Sequence, residues 1–276
     1  MPSASGVWLR RARRLVQVAV VAYVLVVAAV YLGQRRLQYE PARSSPGTPE
    51  AAKLPQARRV QVRTADGLDL FAWYAPPASP SRPVILFFHG NSGHIGHRAF
   101  KARRFVEEGY GFYMCEYRGY GGNPGSPSEE GLYADGRAAL SWLAAEGLSP
   151  ERLVVYGQSI GTGVATQIAV EAHPRALVLE APFTSIVDVA RDRFFWLPVG
   201  LLIEDRFDSI AKIGQVHAPV LVLHGDADTV VPYRLGRELF EAAAEPKKFV
   251  TFPGGGHSDL HRHGGIRAVL EWLARD

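Results

Sequence analysis

Leu153-Val154-Val155-Tyr156-Gly157-Gln158-Ser159-Ile160-Gly161-Thr162-Gly163-Val164-Ala165 is the stretch that decides how the chain is read. Four apolar residues lead into a serine set between two glycines. The residues beyond it, Thr162 to Val170, read as a helix. This is the G-x-S-x-G arrangement at a strand-to-helix junction, the nucleophile elbow. The turn is so tight that side chains two positions either side of the serine would collide with neighbouring backbone. Glycine removes the collision and tolerates the strained angles. The serine then projects above the sheet, with backbone N–H groups at the helix start facing any oxyanion formed beside it. The plainer reading is an ordinary glycine-rich turn. A buried-type strand on one side and a small-residue helix on the other argue against it.

Outward from the elbow, strands alternate with helices. Val60–Arg63 and Leu68–Tyr74 alternate apolar and polar around Ala65-Asp66-Gly67, which predicts an antiparallel hairpin. Val84-Ile85-Leu86-Phe87-Phe88 is an unbroken apolar run, as a central parallel strand requires. A helix is expected from about His97 to Glu108, a strand at Gly111–Glu116, and a helix over about Glu129–Glu146 with Ser128 as its N-cap. Further strands fall at Ala176–Glu180, Val220–His224 and Lys248–Phe252, with helices near Arg234–Ala244 and Gly265–Ala274. The pattern is α/β, a mostly parallel sheet covered on both faces. Ala181–Gln215 breaks the rhythm with Phe183, Phe194, Phe195, Trp196, Leu197, Leu201 and Leu202. Following a strand's C-terminal end, this insertion reads as a small lid over the site, about 183–215. Phe183 and Trp196 in it, and Tyr120 in the turn-rich loop 118–126, are candidate substrate-binding residues. Packing of these aromatics into the core is the alternative.

A serine hydroxyl needs a base, and the base an orienting acid. Two later strands supply both in the order Ser, acid, His. His224-Gly225-Asp226-Ala227-Asp228-Thr229-Val230-Val231-Pro232 holds two acids, and Gly254-Gly255-Gly256-His257 lets a histidine reach across the strand ends toward Ser159. Metal-dependent chemistry is the competing reading. His257, His261 and His263 lie close in sequence, as do His94 and His97, but no carboxylate pair completes a ligand set at fixed spacing. No metal is expected. There is also no Walker or dinucleotide-type glycine pattern, so no cofactor is expected.

With these motifs in place, the chain resembles the α/β-hydrolase superfamily of serine hydrolases. Within it, the chain is similar to the membrane-tethered α/β-hydrolase-domain proteins, some of which remove acyl groups from protein thioesters. The resemblance runs from Gln34-Arg35-Arg36-Leu37-Gln38-Tyr39-Glu40-Pro41 to the C-terminal helix. It includes Phe88-His89-Gly90-Asn91-Ser92-Gly93, Tyr117-Arg118-Gly119-Tyr120-Gly121, the elbow, His224-Gly225-x-x-Asp228-x-x-Val231-Pro232 and Gly256-His257. It implies Ser159 as nucleophile, His257 as base and Asp228 as acid, with Asp226 as second choice. It also implies oxyanion donors at the backbone N–H groups of Asn91 and Ile160. Glu116 departs from the family, where many relatives carry Asp before the Arg-Gly motif. The expected reaction is cleavage of an ester or thioester in a small molecule or acylated protein. A peptidase or amidase on the same triad is the alternative, as is a non-catalytic membrane scaffold.

At 276 residues, 47% hydrophobic and 21% charged, the chain can bury a substantial core. Residues 1–59 carry ten Lys/Arg and two acids, a net of +8, whereas the remainder nets −4. The basicity therefore lies outside the body, which removes the main support for nucleic-acid binding. The single cysteine, Cys115, sits in an apolar run and excludes an intrachain disulfide framework. No charged residue occurs from Leu15 to Gln34. Leu15–Leu32 as a helix covers about 27 Å, close to one bilayer core. The expected organisation is a basic tail over 1–14, a transmembrane anchor over 15–34, a juxtamembrane tether over 35–59 and the catalytic domain over 60–276. A cleavable signal peptide is the rival reading of the apolar run. Arg10, Arg11, Arg13 and Arg14 outweigh Arg35 and Arg36, which puts the N-terminus inside and the catalytic domain on the non-cytoplasmic side.

Overall fold

The computed structural model describes residues 4–274. Helix α1 (Ala4–Gln38) is followed by β1 (Glu40–Pro41), β2 (Arg58–Arg63), β3 (Asp69–Ala75), β4 (Val84–Phe88) and β5 (Ser92–Gly93). Then come a 3-10 turn (Ile95–Arg98), α2 (Ala99–Glu107), β6 (Gly111–Cys115), α3 (Glu129–Ala145), β7 (Leu153–Gln158), α4 (Ile160–Ala172) and β8 (Ala176–Glu180). The chain ends through α5 (Ile186–Arg193), α6 (Val199–Leu202), β9 (Val220–Gly225), α7 (Tyr233–Ala242), β10 (Lys247–Phe252) and α8 (Gly265–Leu273).

Eight strands form one sheet in the order β10-β9-β8-β7-β4-β6-β3-β2. Every neighbouring pair from β10 to β6 is parallel; β3 runs antiparallel to both β6 and β2. The expected hairpin is thus β2–β3, registered Val60 to Ala72 and Val62 to Leu70. All five residues of β4 are buried, as are those of β6, β7, β8 and β9, because helices cover both faces. One apolar layer joins α3, α4 and α7 to the sheet through Leu132, Ile168 and Leu239. The other joins α2 and α8 through Phe105 and Leu273. Ser128 caps α3 as its position predicts, accepting from the Gly131 N–H at 3.1 Å. The C-terminal ends of β4, β7, β9 and β10 therefore lie along the same edge of the sheet, with β8 between β7 and β9, where such sheets carry their sites.

The N-terminal segment departs from expectation. Helix α1 runs four residues past Gln34, and the segment read as a tether is bound to the body. Tyr39, Leu54 and Ala57 are buried, the last two in the core layer under α2 and α8. Tyr39 donates its hydroxyl to Asp205 at 3.1 Å. Glu40 and Pro41 pair in parallel with Ser92 and Gly93, and the Gly121 N–H donates to the Ala42 carbonyl at 2.8 Å. These apolar residues follow neither a helical nor a strand period, so their burial leaves no pattern in the sequence.

Residues 35–59 thus stabilise the body rather than space it from α1. Tyr39 and Leu54 each contribute about 2–3 kcal/mol by burial. A chain starting at residue 34 should unfold in urea near the midpoint of the full protein, and one starting at residue 60 at clearly lower urea. Equal midpoints for the two truncations would show that the packing contributes nothing.

Candidate active site

Ser159 stands between β7 and α4 with φ 52° and ψ −123°, a left-handed backbone that a residue with a Cβ rarely adopts. Such a conformation costs on the order of 1–3 kcal/mol and persists only where its surroundings enforce it. Here a Cβ on Gly157 would stand 2.6 Å from Thr162 Cα, and one on Gly161 would stand 2.6 Å from the His89 carbonyl. Neither position has room for a side chain. The Ser159 N–H donates to the Glu180 carbonyl at 2.9 Å, and the Thr162 N–H and hydroxyl donate to the Ser159 carbonyl at 2.8 and 2.6 Å.

His257 lies between Ser159 and Asp228. Its Nε2 is 2.8 Å from Ser159 Oγ, and its Nδ1 is 2.8 Å from Asp228 Oδ2. The loops after β9 and β10 converge because Gly225 lacks a side chain; a Cβ there would overlap the Gly255 carbonyl. The Ala227 N–H donates to that carbonyl at 3.0 Å, and the Gly256 N–H to Asp259 at 2.7 Å, which fixes the histidine loop. Asp228 Oδ1 accepts from the Val230 and Val231 N–H groups at 2.8 and 2.9 Å, and His224 Nε2 lies 3.3 Å from Oδ2. Burial opposes ionisation of Asp228, but the contacts with His224 and His257 and the Val231 N–H outweigh it. They hold its carboxyl well below the usual carboxylate range. Asp226, the second candidate acid, does not reach His257. It is exposed and accepts from the Gly254 N–H at 2.7 Å, bracing the glycine run instead.

The loop after β4 closes against the elbow: a Cβ on Gly90 would be 3.4 Å from Ser159 Cβ. Ile160 opens α4, and among the described residues neither its N–H nor that of Asn91 donates to a protein acceptor. The Asn91 side chain accepts from the Glu40 N–H and the Tyr120 hydroxyl, both at 3.3 Å. Two buried residues brace this loop: Glu116, already marked by its departure from the family pattern, and His89 of the strand-end motif. His89 Nε2 is 3.1 Å from Glu116 Oε1, and the Ile95 N–H donates to Glu116 Oε2 at 2.9 Å.

Two of the three candidate substrate-binding residues are buried. Tyr120 and Phe183 have almost no exposed surface. Tyr120 acts through its bond to Asn91 and packs edge-on to His89, with ring centroids 5.3 Å apart. Phe183 belongs to the core layer under α3 and α4. Trp196 is half exposed, and its carbonyl accepts from Tyr23 of α1. Among the histidines considered as metal ligands, three pack on an aromatic ring or on one another. His94 and His97 stack on each other at 3.9 Å, and His261 packs on Phe100. Among the described residues no three His, Cys, Asp or Glu side chains converge as a metal would need.

Beneath the elbow lies a buried charge pair. Lys101 Nζ is 2.5 Å from Glu180 Oε2, which also accepts from the Tyr156 hydroxyl, and Gln158 Nε2 donates to Glu180 Oε1 at 3.1 Å. Burial raises the pKa of Glu180, but the Lys101 charge and the hydrogen bonds from Lys101 and Tyr156 prevail and hold it below the ordinary glutamate value. In Lys101→Met the burial would dominate and raise the folded-state pKa of Glu180 above its unfolded one. Stability of the variant is then retained below the unfolded pKa and lost as pH rises. The expected cost is about 3–5 kcal/mol near neutrality and distinctly less near pH 4, read from urea unfolding at the two values. A cost independent of pH would mean Glu180 is not ionised in the native protein.

Comparison with known proteins fits this architecture. A protein of Mycobacterium tuberculosis with no assigned activity is 44% identical over 271 residues, covering 97% of this chain and 96% of its own. The lysophosphatidylserine lipase ABHD12 of Danio rerio is 35% identical over 210 residues, 69% of this chain and 53% of its own. The Pyrococcus furiosus esterase Pf2001 superposes with a TM-score of 0.69 at 19% identity, covering 86% of this chain and 99% of its own, a likeness of fold. The family model described as serine aminopeptidase, S33, matches residues 79–199 and 205–262. The chain therefore belongs to that family of α/β-hydrolases and is an esterase-like hydrolase.

Proposed function

We propose that the chain is a serine hydrolase that cleaves carboxylic ester or thioester bonds of acyl substrates through Ser159, His257 and Asp228. The contact of His257 with Ser159 Oγ on one side and Asp228 on the other, each at 2.8 Å, carries this reading. Ser159 Oγ attacks the acyl carbonyl and its proton passes to His257 Nε2. Asp228 holds the imidazole by Nδ1 and stabilises the imidazolium, consistent with its strongly held negative charge. The Asn91 and Ile160 N–H groups receive the oxyanion. Collapse of the tetrahedral intermediate breaks the C–O or C–S bond, the leaving group takes the proton from His257, and an acyl-serine remains. Water, deprotonated by His257, then releases the acid and restores Ser159.

The catalytic unit includes residues 35–59 as well as 60–274, and the lid comprises α5 and α6 with their flanks. Helix α1 is the one described helix long and apolar enough to cross a membrane, and it holds the enzyme there as a single-pass anchor. The heavier basic flank before the apolar run supports a catalytic domain on the non-cytoplasmic side. The lipase name of the Danio rerio relative supports an acyl ester of a lipid as the substrate class. The aminopeptidase description of the family keeps amides as the second reading, to be separated by turnover of aminoacyl anilides.

Purified full-length protein should react with a fluorophosphonate at Ser159 and hydrolyse p-nitrophenyl acyl esters. Ser159→Ala should abolish both, and Asp228→Asn should lower kcat by about 10⁴-fold. Asp226→Asn, which only loosens the histidine loop, should cost less than about tenfold, since only a side-chain to backbone hydrogen bond changes. Full turnover by Ser159→Ala, or a larger loss at Asp226 than at Asp228, would defeat the assignment.

A further inference from the structure

Phe195 and Leu201 are each 87% exposed, and Trp196 and Phe194 are 49% and 41% exposed. All lie in the uncharged stretch 194–203. A cluster of large apolar side chains on a surface marks a place where something else packs. What packs there is indicated by the neighbour. The Tyr23 hydroxyl of α1 donates to the Trp196 carbonyl at 3.0 Å, and Val27 and Val30 pack against Val187, Leu197 and Val199. Other faces of α1 stay bare, with Val20, Val24 and Leu25 exposed. The insertion and α1 therefore present one continuous apolar surface.

Both segments also change from apolar to charged at the same level. The uncharged run of α1 ends at Gln34 and that of the insertion at Ile203. The two ends are tied together: the Glu204 N–H donates to Gln34 Oε1 at 2.9 Å, Arg35 pairs with Asp205 at 3.0 Å, and the Tyr31 hydroxyl donates to Glu204 at 2.8 Å. Tyr23 lies about 16 Å along the helix axis from Gln34, roughly half the ~30 Å hydrocarbon core of a bilayer. A group packed beside Tyr23 shares its depth. The acids of α5 are paired, and the guanidinium groups of Arg191 and Arg206 reach Gly200 beside Leu201. Asp188 accepts from Thr184, Ser185 and Arg191, and Asp192 pairs with Arg234 at the start of α7.

We propose that the exposed face of the insertion, centred on Phe195, Trp196 and Leu201, is buried in the acyl-chain layer of the leaflet next to the catalytic domain. The enzyme is then held by two elements, a spanning helix and a lid that enters one leaflet beside it. Lipid is the occupant because the face continues the surface of α1 and ends at the same polar boundary. The proposal rests on α1 being a membrane anchor, as in the preceding section.

The test uses full-length protein in phosphatidylcholine–phosphatidylglycerol vesicles, carrying a bimane label on Phe195→Cys, Leu201→Cys, Val20→Cys or Arg267→Cys in turn. The native Cys115 is buried and does not compete for label. Val20 reports the anchor; Arg267, on α8 with its side chain 84% exposed, reports the aqueous face. Labels at Phe195 and Leu201 should be quenched by doxyl-labelled lipid at least threefold more than the label at Arg267, and be sheltered from iodide. With Val20 quenched by the lipid, iodide quenching at Phe195 and Leu201 would overturn the proposal while leaving the anchor intact. Shelter from both quenchers would also overturn it, in favour of a second copy of the chain covering the face. A Val20 label not reached by the lipid quencher would remove the anchor reading and the proposal with it.

Discussion

The left-handed backbone at Ser159 is the constraint on which the other parts of the site depend. It is tolerable because positions 157 and 161 have no Cβ, and it is maintained because β8 and the first turn of α4 bond to the serine's own peptide groups. A relaxed backbone at this position would turn the hydroxyl down toward the sheet or away along the helix. Either direction would take it from the ring nitrogen that now stands 2.8 Å away. The strain is local, but its support is spread through the fold. The same two glycines let α4 lie directly on β7 and on the end of β4, so the chain that sharpens the turn also packs the central layer.

The histidine and its acid reach the serine for a second steric reason, the backbone contact between Gly225 and Gly255. Parallel neighbours β9 and β10 end at the same edge of the sheet, so the loops leaving them start side by side. Removing a side chain at one crossing lets the two loops touch. Asp228 is then enclosed by donors from four directions: two backbone N–H groups, His224 and His257. This explains how a buried carboxylate remains charged without a lysine or arginine beside it. Its negative charge is held by two backbone N–H dipoles and two imidazole rings.

What could be read from the sequence follows from what leaves a local mark. The elbow, the unbroken apolar strands and the order Ser159, Asp228, His257 are written in short windows whose periods and glycines have direct steric meaning. The strand positions and the doubly covered parallel sheet follow from them. The burial of Tyr39, Leu54 and Ala57 left no such mark, because their partners are remote and they follow no period. Aromatic content in turns and insertions was a poor guide to substrate contact for the same reason. Tyr120 and Phe183 are apolar residues near the strand ends, yet the fold uses them to brace Asn91 and to fill the core. The choice between Asp226 and Asp228 was open to local reading because both follow the same strand. It depends on which carboxylate faces inward after the turn, and only Asp228 curls back onto the N–H groups of Val230 and Val231.

The segment leaving α1 joins the two ends of this protein physically. Asp205 takes the Tyr39 hydroxyl, the Arg35 guanidinium and, through its carbonyl, the Gln38 amide, so the last turn of α1 is clamped to the insertion that follows β8. One residue further on, the Glu40 N–H bonds the Asn91 side chain, and Glu40–Pro41 add a strand to Ser92–Gly93. Asn91 is the candidate oxyanion donor. Its loop is therefore fixed from below by Glu116 and His89, from the side by Tyr120, and from above by the chain that has just left α1. A helix joined by a slack linker would transmit nothing to the domain it carries. Here Tyr39 is bonded to Asp205 and its neighbour Glu40 to the Asn91 loop, so no slack residue lies between the two contacts.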